Sequence, residues 1–484
     1  MKTTIQYVCM LRIAFTLVLA VTLLVGCKPK IETDPENEAV TLLPPDPMIL
    51  MVIGEPDIGA KISREWAAER TGEITLIEMP VDQWIADDFK LAENVDVVVY
   101  PPLLIAELAE RELIQSISRD QWKSSAINKA GILGHYSRPI IRYDNKVYGL
   151  PLGNPCFTLM YDSSEAVFGN DRSKFPTTWK QLERELKRLA VSDSIRAPNE
   201  STVKIDAPLA EGWASWTFLA RVAPDVKIRG ASSIIFNHSN VEPLIATEPY
   251  VQALEQLKRI TTKRSVKQTP EDVFRLIIKK QAAIGMGFPS SSYAVDQDEE
   301  WVNEDLAFAQ LPGTEQVFDQ RTIGWKDRFR SEQANVDLFG FSGLMVSVTE
   351  QSRYPNTALA LVEWMADKDV GVATVSRSMQ VGPFRKSHLG DISNWAGNQM
   401  TLDQADEYSL VLENFHSASM IMVFPRIPAS TQYLKSLDAG VRRYFTSDTS
   451  AQETLNQVAE EWNAITARIS VPKQRQTLKK DAGF

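Results

Sequence analysis

Residues 143–189 contain the pattern that decides the predicted fold, YDNKVYGLPLGNPCFTLMYDSSEAVFGNDRSKFPTTWKQLERELKRL. The first part, residues 147–161, is apolar and aromatic and is interrupted by Gly149, Pro151, Gly153 and Pro155. Because proline removes a ladder donor and glycine tolerates strained dihedrals, this composition predicts short strands separated by bends. The second part predicts a helix with Thr178 as its N-cap, Gln181 as the capping-box partner, and an apolar face of Leu182, Leu186 and Leu189.

The order of these motifs resembles that of family 1 extracellular solute-binding proteins, the maltose-binding type of receptors for ABC importers. The matching pieces are Tyr148-Gly149-Leu150-Pro151, Tyr161-Asp162 and, at the start of the helix, Pro176-Thr177-Thr178-Trp179. Four later stretches are similar to the family's in the same order, namely QAAIGMGF at 281–288, DLAFAQLPG at 305–313, FGFSGLMVSV at 339–348 and VGPFRKS at 381–387. The resemblance covers about residues 48–468.

This resemblance implies an α/β fold of the two-lobed, periplasmic-binding-protein-like type II class. Two parallel-rich sheets flanked by helices are expected, with three hinge crossings near residues 152, 310 and 380. Apolar strand patterns at 48–53, 74–77 and 95–100 alternate with helical patterns, which favours a parallel sheet in the first lobe. The expected division is a lipoprotein signal peptide (1–26), a tether (27–47), lobe 1 (48–151 and 311–378), lobe 2 (152–310 and 379–470) and a disordered tail (471–484).

The charge of the chain argues against nucleic acid as a partner. The 484 residues carry a formal net charge of −10, whereas binding to phosphate backbones needs concentrated lysine and arginine. No interior stretch has the roughly 20 consecutive apolar residues that a membrane-spanning helix needs.

The N-terminus is predicted to be a lipoprotein signal peptide. An apolar run at residues 13–25 follows Lys2 and Arg12, and Leu24-Val25-Gly26-Cys27 resembles the bacterial lipobox. Lipidation at Cys27 would anchor the protein in the cell envelope, facing the periplasm or the outside; the alternative is a plain signal peptide or a short anchor with an incidental cysteine. Cleavage before Cys27 would leave Cys156 as the remaining unmodified cysteine, which we expect to be a buried structural thiol.

Sequence motifs for catalysis are absent. The chain has no G-x-S-x-G elbow, Walker loop or H-E-x-x-H helix, so no catalytic residue, metal ligand or cofactor is predicted. Two carboxylates that face each other across a cleft leave no sequence signature, and a cleft-based carbohydrate-active hydrolase therefore stays open as an alternative.

Candidate ligand-binding residues are aromatic or lie where predicted strands end. Sugar rings present C–H faces that stack on aromatic side chains, and ligands of α/β proteins sit outside the carboxyl ends of strands. By the resemblance, Trp213 and Trp216 occupy the place of a ligand-stacking element, although packing in the core is the alternative for both. The full candidate set is Glu55, Asp57, Trp84, Tyr100, Trp213, Trp216, Phe288, Ser290, Ser291, Trp325, Phe341 and Tyr433.

The sequence therefore predicts a monomeric, lipid-anchored receptor that captures a small solute. A carbohydrate in the cleft between the lobes is expected, with hinge closure and delivery to an ABC permease. A solute receptor for a partner outside transport is a further alternative. The resemblance leaves the identity of the solute open.

Overall fold

The computed structural model of the protein describes residues 47–55, 58–70, 72–164, 175–189, 202–231, 234–293, 303–378 and 381–484. The predicted signal peptide, the predicted lipidation site Cys27 and the candidate residue Asp57 lie outside the described residues. Within these ranges no helix has both the length and the apolar character needed to cross a membrane.

The described residues form an α/β structure. The strands are β1 (Met48–Ile53), β2 (Ile74–Met79), β3 (Val97–Tyr100), β4 (Arg142–Tyr143), β5 (Lys146–Val147), β6 (Leu150–Gly153), β7 (Thr158–Asp162), β8 (Ile284–Gly287), β9 (Leu306–Gln310), β10 (Gln316–Asp319), β11 (Gly324–Asp327), β12 (Asp337–Phe339), β13 (Leu344–Val348) and β14 (Ile421–Val423). The helices are α1 (Ile58–Glu69), α2 (Val81–Ala86), α3 (Ile105–Glu110), α4 (Trp179–Arg188), α5 (Ala214–Val226), α6 (Glu248–Ile260), α7 (Pro270–Ile278), α8 (Pro355–Met365), α9 (Lys368–Val375), α10 (Lys386–Leu389), α11 (Ser393–Ala396), α12 (Leu402–Ser417), α13 (Ser430–Thr446), α14 (Ala451–Ile469) and α15 (Val471–Asp481).

The first lobe is built on a five-stranded sheet of order β2-β1-β3-β13-β6. Strands β2, β1 and β3 are parallel, and β13 runs antiparallel to both β3 and β6. Strands β1 and β3 are almost continuous runs of buried apolar residues, which is the pattern of strands covered on both faces. Helices α1 and α8 pack on this sheet.

The second lobe is built on a three-stranded sheet of order β8-β7-β9, with α7 packed on β8 and α12 on β9. Strand β7 is antiparallel to both of its neighbours, so this sheet is not parallel-rich as expected. Strands β8 and β9 point the same way but lie on opposite sides of β7. Asp206 forms a parallel bridge with Gly285 of β8.

The predicted helix after β7 is confirmed. Helix α4 begins at Trp179, and the Thr178 side chain accepts the backbone N–H of Gln181 at 3.3 Å. Leu182 and Leu186 are buried on the face that the spacing predicted. Cys156 is buried and unpaired, and burial raises the pKa of its thiol, as expected for a structural cysteine.

The second passage between the lobes lies later in the chain than predicted. The hairpin of β10 and β11 packs against α5 of the second lobe, and Thr314 donates a hydrogen bond to the Pro224 carbonyl in that helix at 3.0 Å. The chain enters the first sheet only at β13. The boundary predicted at residue 311 was therefore wrong, because Leu-Pro-Gly ends strand β9 but does not by itself turn the chain into the other lobe.

The three crossings meet at three glycines. Gly153 ends β6, Gly343 precedes β13, and Gly382 lies before α10. A Cβ atom at Gly153 would collide with the carbonyl oxygen of Gly382, one at Gly343 with that of Gly153, and one at Gly382 would lie 2.5 Å from that of Asn154. Gly153 and Gly343 also have positive φ angles of +117° and +95°. Backbone therefore packs directly on backbone where the chain passes between lobes.

The C-terminal segment is a helix, so the predicted disordered tail was wrong. Helix α15 buries Leu478 together with two polar side chains, Gln474 and Thr477. Gln474 donates to the Pro428 carbonyl at 2.8 Å, and Lys480 pairs with Glu110 of α3 at 2.7 Å. The sequence of this segment does not indicate a packed helix, because its buried face is mainly polar. The hydrogen-bond partners of these polar side chains come from parts of the chain that only the fold brings close.

Replacement of Gly343 by alanine tests the contact between crossings. Gly230 is the matched control, because it has a φ of +75° but an open space where a Cβ would lie. We expect Gly230→Ala to cost about 1–2 kcal/mol from backbone strain alone and Gly343→Ala roughly 3–5 kcal/mol from strain plus collision. Urea unfolding measures both. Equal losses in the two variants would show that the glycine contact does not constrain the hinge.

Candidate functional site

Six aromatic side chains form a continuous cluster where the two lobes join. This junction cluster consists of Phe157, Trp213, Trp216, Phe288, Phe341 and Phe424. The rings of Phe157 and Phe341 are stacked, with centroids 4.6 Å apart and an interplanar angle of 9°. Phe288 lies 5.9 Å from both Phe157 and Trp213. The ring centroid of Trp216 lies 6.0 Å from that of Phe341 and 6.2 Å from that of Phe424, and Phe424 and Phe288 also contact the rings of Trp462 and Tyr293 outside this set.

The crossings themselves position the centre of the cluster. Phe157 lies between β6 and β7, and Phe341 lies between Gly340 and Gly343, just before β13. The other members come from the second lobe: Phe288 directly follows β8, and Phe424 directly follows β14. The stacked pair thus joins two separate passages of the chain, and second-lobe elements surround it.

Trp213 is the member of the cluster with substantial exposed surface. It is half-buried, whereas the exposed fraction of the other five side chains is 9% or less. Trp213 is the N-cap residue of α5, and Trp216 lies in the first turn. The partly exposed indole therefore lies at the edge of a buried aromatic surface.

A buried carboxylate holds the start of α5. Asp438 of α13 accepts the backbone N–H of Gly212 at 3.2 Å and that of Ser215 at 3.1 Å. Burial raises the pKa of Asp438, and these two donors oppose that shift. These hydrogen bonds pair backbone N–H groups near the start of the helix, where intrahelical partners are lacking. The two donors precede and follow Trp213 in the chain, so Asp438 holds the backbone on both sides of it.

Polar candidates from both lobes meet around one short loop, residues 376–378. Ser378 donates a hydrogen bond to Glu55, which follows β1 in the first lobe, at 2.5 Å. Ser291, which follows β8 in the second lobe, donates to the carbonyl of Ser376 at 2.8 Å. Ser290 is buried, and its hydroxyl lies 2.8 Å from that of Ser292. The carboxyl ends of β1 and β8 therefore face the same loop.

Tyr100 lies inside the first sheet and outside the junction cluster. It is fully buried at the end of β3, and its hydroxyl lies 2.8 Å from that of Ser347 on β13. Burial raises the pKa of this phenol. The strand-end position was read correctly from the sequence, but the hydroxyl is engaged within the sheet.

Besides Tyr100, three further aromatic candidates lie away from the junction cluster. Trp84 is fully buried in the first lobe and donates its indole N–H to the Lys90 carbonyl at 3.1 Å. Tyr433 is buried under α14, with its hydroxyl 2.8 Å from that of Thr466. Trp325 lies on β11 and donates to Glu248 at 3.0 Å. Motif position alone does not reveal which face of an element a ring occupies.

Two members of the cluster, Phe157 and Phe424, were missed by sequence reasoning. Phe157 lies in the quoted crossing segment, and its place between two predicted strands was the signal that pointed to it. Phe424 had no such signal, because it reaches the cluster through the pairing of β14 with β12, which are distant in sequence.

A buried carboxyl group lies behind the cluster. Asp337 of β12 is 3% exposed, and its Oδ1 has no hydrogen-bond partner. Burial raises the pKa of Asp337 to about 7. Its charge also contributes to the raised pKa of Cys156 in the first crossing. A charged carboxylate at this position therefore destabilises the folded junction.

Replacement of Asp337 by asparagine is expected to make stability less sensitive to pH. Because the folded-state pKa is raised, the wild type loses stability as pH rises from about 4 to about 7, and the substitution removes up to roughly 4 kcal/mol of that loss. The free energy of unfolding in urea, determined at pH 4.5 and pH 8 for both proteins, measures this difference. Asp319→Asn is the control of opposite sign, because Arg321 and Lys326 lower the pKa of Asp319 and its stabilisation is lost as pH falls. The same pH slope in wild type and Asp337→Asn would contradict the expectation.

Solved structures of binding proteins share this architecture. A maltose-bound MalE3 from T. maritima is 15% identical and has a TM-score of 0.61, with 86% of this chain and 99% of that chain covered. The sugar-binding protein MalE from Xanthomonas citri is 14% identical and has a TM-score of 0.62, with 87% of this chain and 98% of that chain covered. An ABC transporter solute-binding protein from Agrobacterium radiobacter K84, in complex with ribitol, is 13% identical and has a TM-score of 0.63. The match covers 87% of this chain and 99% of that chain.

The similarity lies in the fold rather than in the sequence. No protein-family model matches the chain, and a search of curated proteins finds no match. Similarity at 13–15% identity over nearly the whole of each neighbour establishes a common architecture. The chain therefore has the two-lobed α/β fold of the maltose-binding type of ABC-transporter solute-binding proteins.

Proposed function

We propose that the protein is an extracytoplasmic receptor that binds a carbohydrate or polyol between its two lobes and passes it to an ABC importer. The observation that carries this proposal is the junction cluster, which combines the stacked Phe157 and Phe341 of two crossings with a partly exposed Trp213. The fold supports binding, because the solved structures that share it are named as a maltose-bound protein, a sugar-binding protein and an ABC transporter solute-binding protein.

The chemistry of the site fits a polyhydroxylated solute. A partly exposed indole offers a flat apolar face to the C–H side of a sugar ring. Glu55, Ser378 and Ser291 supply a carboxylate and hydroxyl groups around one loop, and such groups exchange hydrogen bonds with hydroxyls. Maltose and ribitol are the ligands named for two of the similar structures.

Contacts between the lobes support closure around the solute. Asp82 on α2 of the first lobe forms an ion pair with Lys435 on α13 of the second lobe. Close to the start of α13, the backbone N–H of Ala429 donates to Glu107 of α3 at 3.1 Å. Helix α2 follows the carboxyl end of β2, the edge at which ligands of α/β proteins sit. In this proposal, solute contacts from both lobes favour the arrangement in which these pairs form.

The location and the partners in this proposal rest on the sequence. The lipobox-like Leu24-Val25-Gly26-Cys27 supports a lipid anchor at Cys27 in the cell envelope. The fold supports an ABC permease as the recipient, and the receptor acts as a monomer. Mass spectrometry of the membrane fraction tests the diacylglyceryl modification of Cys27.

Replacement of Trp213 by alanine tests the site. Calorimetry with maltose, maltotetraose, ribitol, mannitol and tagatose should find at least one ligand, and Trp213→Ala should lose about 1–2 kcal/mol of binding, roughly five- to thirty-fold in affinity. Trp325→Ala is the matched control, because Trp325 is also half-buried but lies on β11, outside the cluster. No binding by any member of the panel, or equal losses in both variants, would count against this site.

Replacement of Lys435 by glutamate tests closure. It sets two carboxylates against each other where the lobes touch, so apparent solute affinity should fall by roughly two- to five-fold at low salt, because exposed ion pairs contribute at most about 1 kcal/mol. The loss should shrink at high salt. The exchanged pair Asp82→Lys with Lys435→Glu should restore affinity. Small-angle scattering with and without solute gives the accompanying compaction, and an affinity unaffected by Lys435→Glu would refute a role for this pair.

A further inference from the structure

Tyr136 lies where the three crossings of the chain come together. Its hydroxyl donates to the carbonyl of Asn154 in the first crossing and to that of Pro383 in the third crossing, both at 3.1 Å. Its ring packs edge-on against Phe339, which ends β12 directly before the second crossing, with ring centroids 5.0 Å apart and an interplanar angle of 75°. One side chain therefore links the first and third passages directly and touches the residue that leads into the second.

The hydroxyl of Tyr136 is a donor that two buried carbonyl groups share. Asn154 and Pro383 are both buried, and in the part of the chain that the structure describes no other donor pairs with either carbonyl. A tyrosine hydroxyl carries a single proton, which here serves acceptors on two different crossings. Burial raises the pKa of Tyr136 well above its usual value, so the phenol keeps this proton. Because a buried carbonyl that loses its donor costs free energy, both crossings depend on this one group.

The fold holds the ring of Tyr136 in place from two sides. Tyr136 begins the helical turn Tyr136–Ile140, and Arg426 donates to the carbonyl of Ile140 at 2.6 Å, which fixes the end of that turn. On the other side, the ring stacks on His416 of α12, with centroids 5.5 Å apart and an interplanar angle of 26°. The hydroxyl therefore has little freedom to follow the crossings when they move.

We propose that Tyr136 is a positioning residue that favours the closed arrangement of the lobes and thereby raises the affinity for solute. This inference rests on the function proposed above, because it concerns closure of the same site. In this structure both hydrogen bonds of Tyr136 coexist with the Asp82–Lys435 ion pair between the lobes. Rotation about the crossings moves the two carbonyls relative to one another, and a fixed hydroxyl cannot then stay within hydrogen-bond distance of both.

Tyr136 acts through the crossings and not on the solute. Its side chain is 1% exposed and lies outside the junction cluster, so it offers no surface to a ligand. Phe339 gives it an indirect route to that cluster, because this residue lies two positions before Phe341 in the chain. Removal of the hydroxyl should therefore change how readily the lobes close without removing a solute contact.

Tyr250 provides a matched control for a purely structural role. It is fully buried in α6 of the second lobe and donates its hydroxyl to the carbonyl of Ile234 at 2.6 Å. Loss of this hydroxyl also leaves a carbonyl without its donor, but the hydrogen bond lies within one lobe and touches none of the crossings. Tyr250→Phe should therefore lower stability without altering the arrangement of the lobes.

Replacement of Tyr136 by phenylalanine removes the shared donor and keeps the ring. We expect the affinity for a solute of the calorimetry panel to fall roughly five- to thirty-fold, equivalent to about 1–2 kcal/mol. The reason is that the closed arrangement keeps two carbonyls unsatisfied, whereas an open arrangement gives them access to water. Tyr250→Phe should change affinity less than two-fold. Affinities are compared at a temperature at which urea unfolding shows both variants to be folded.

Small-angle scattering without solute separates this proposal from the function on which it rests. The radius of gyration reports the separation of the lobes whether or not a ligand is known. We expect a larger radius for Tyr136→Phe than for the wild type, because the first and third crossings lose the group that joins them, and an unchanged radius for Tyr250→Phe. If no solute of the panel binds, the proposed function fails, and this comparison still decides the role of Tyr136.

Three outcomes would overturn the role of Tyr136. The first is that the two tyrosine variants change affinity and radius equally, which would indicate a structural contribution alone. The second is a Tyr136→Phe protein with the radius of the wild type, which would show that the hydroxyl does not hold the crossings. The third is tighter solute binding by Tyr136→Phe, which would show that the hydroxyl favours the open arrangement.

Discussion

The structure depends on the close approach of three chain crossings at Gly153, Gly343 and Gly382. At these positions the backbone of one crossing occupies the space that a Cβ of the next would need. Packing of this kind leaves no flexible side chain to absorb sliding between lobes, because interiors are close-packed and resist displacement. The proposed closure would therefore be mainly a rotation of the lobes about the crossings.

The candidate site follows from the same constraint. Phe157 and Phe341 stack because they lie on adjacent crossings, and Trp213 lies at the edge of the surface they create. A solute held there would touch the segments about which the lobes turn. The buried Asp337 on β12 adds an electrostatic cost to the same junction, since burial disfavours its charged form.

The C-terminal helix links the lobes independently of the crossings. Helix α15 adds a further link, because Lys480 pairs with Glu110 of the first lobe while Asp481 holds Arg426 at 2.8 Å. The end of the chain thus connects Glu110 and Arg426 by ion pairs that do not involve the crossings.

The sequence by itself determined the fold class, the helix cap at Thr178 and the buried Cys156, because each depends on local spacing or apolar runs. It identified four of the six members of the junction cluster, Trp213, Trp216, Phe288 and Phe341. It did not identify Phe424, since the pairing of β14 with β12 brings together residues more than 80 positions apart. It did not reveal that Trp84, Trp325 and Tyr433 lie away from this cluster, because the local pattern around an aromatic residue does not indicate which other rings it will meet. Tertiary structure alone decided which rings meet, where the second crossing lies and that the basic tail is a helix, because these features arise from contacts between residues far apart in the chain.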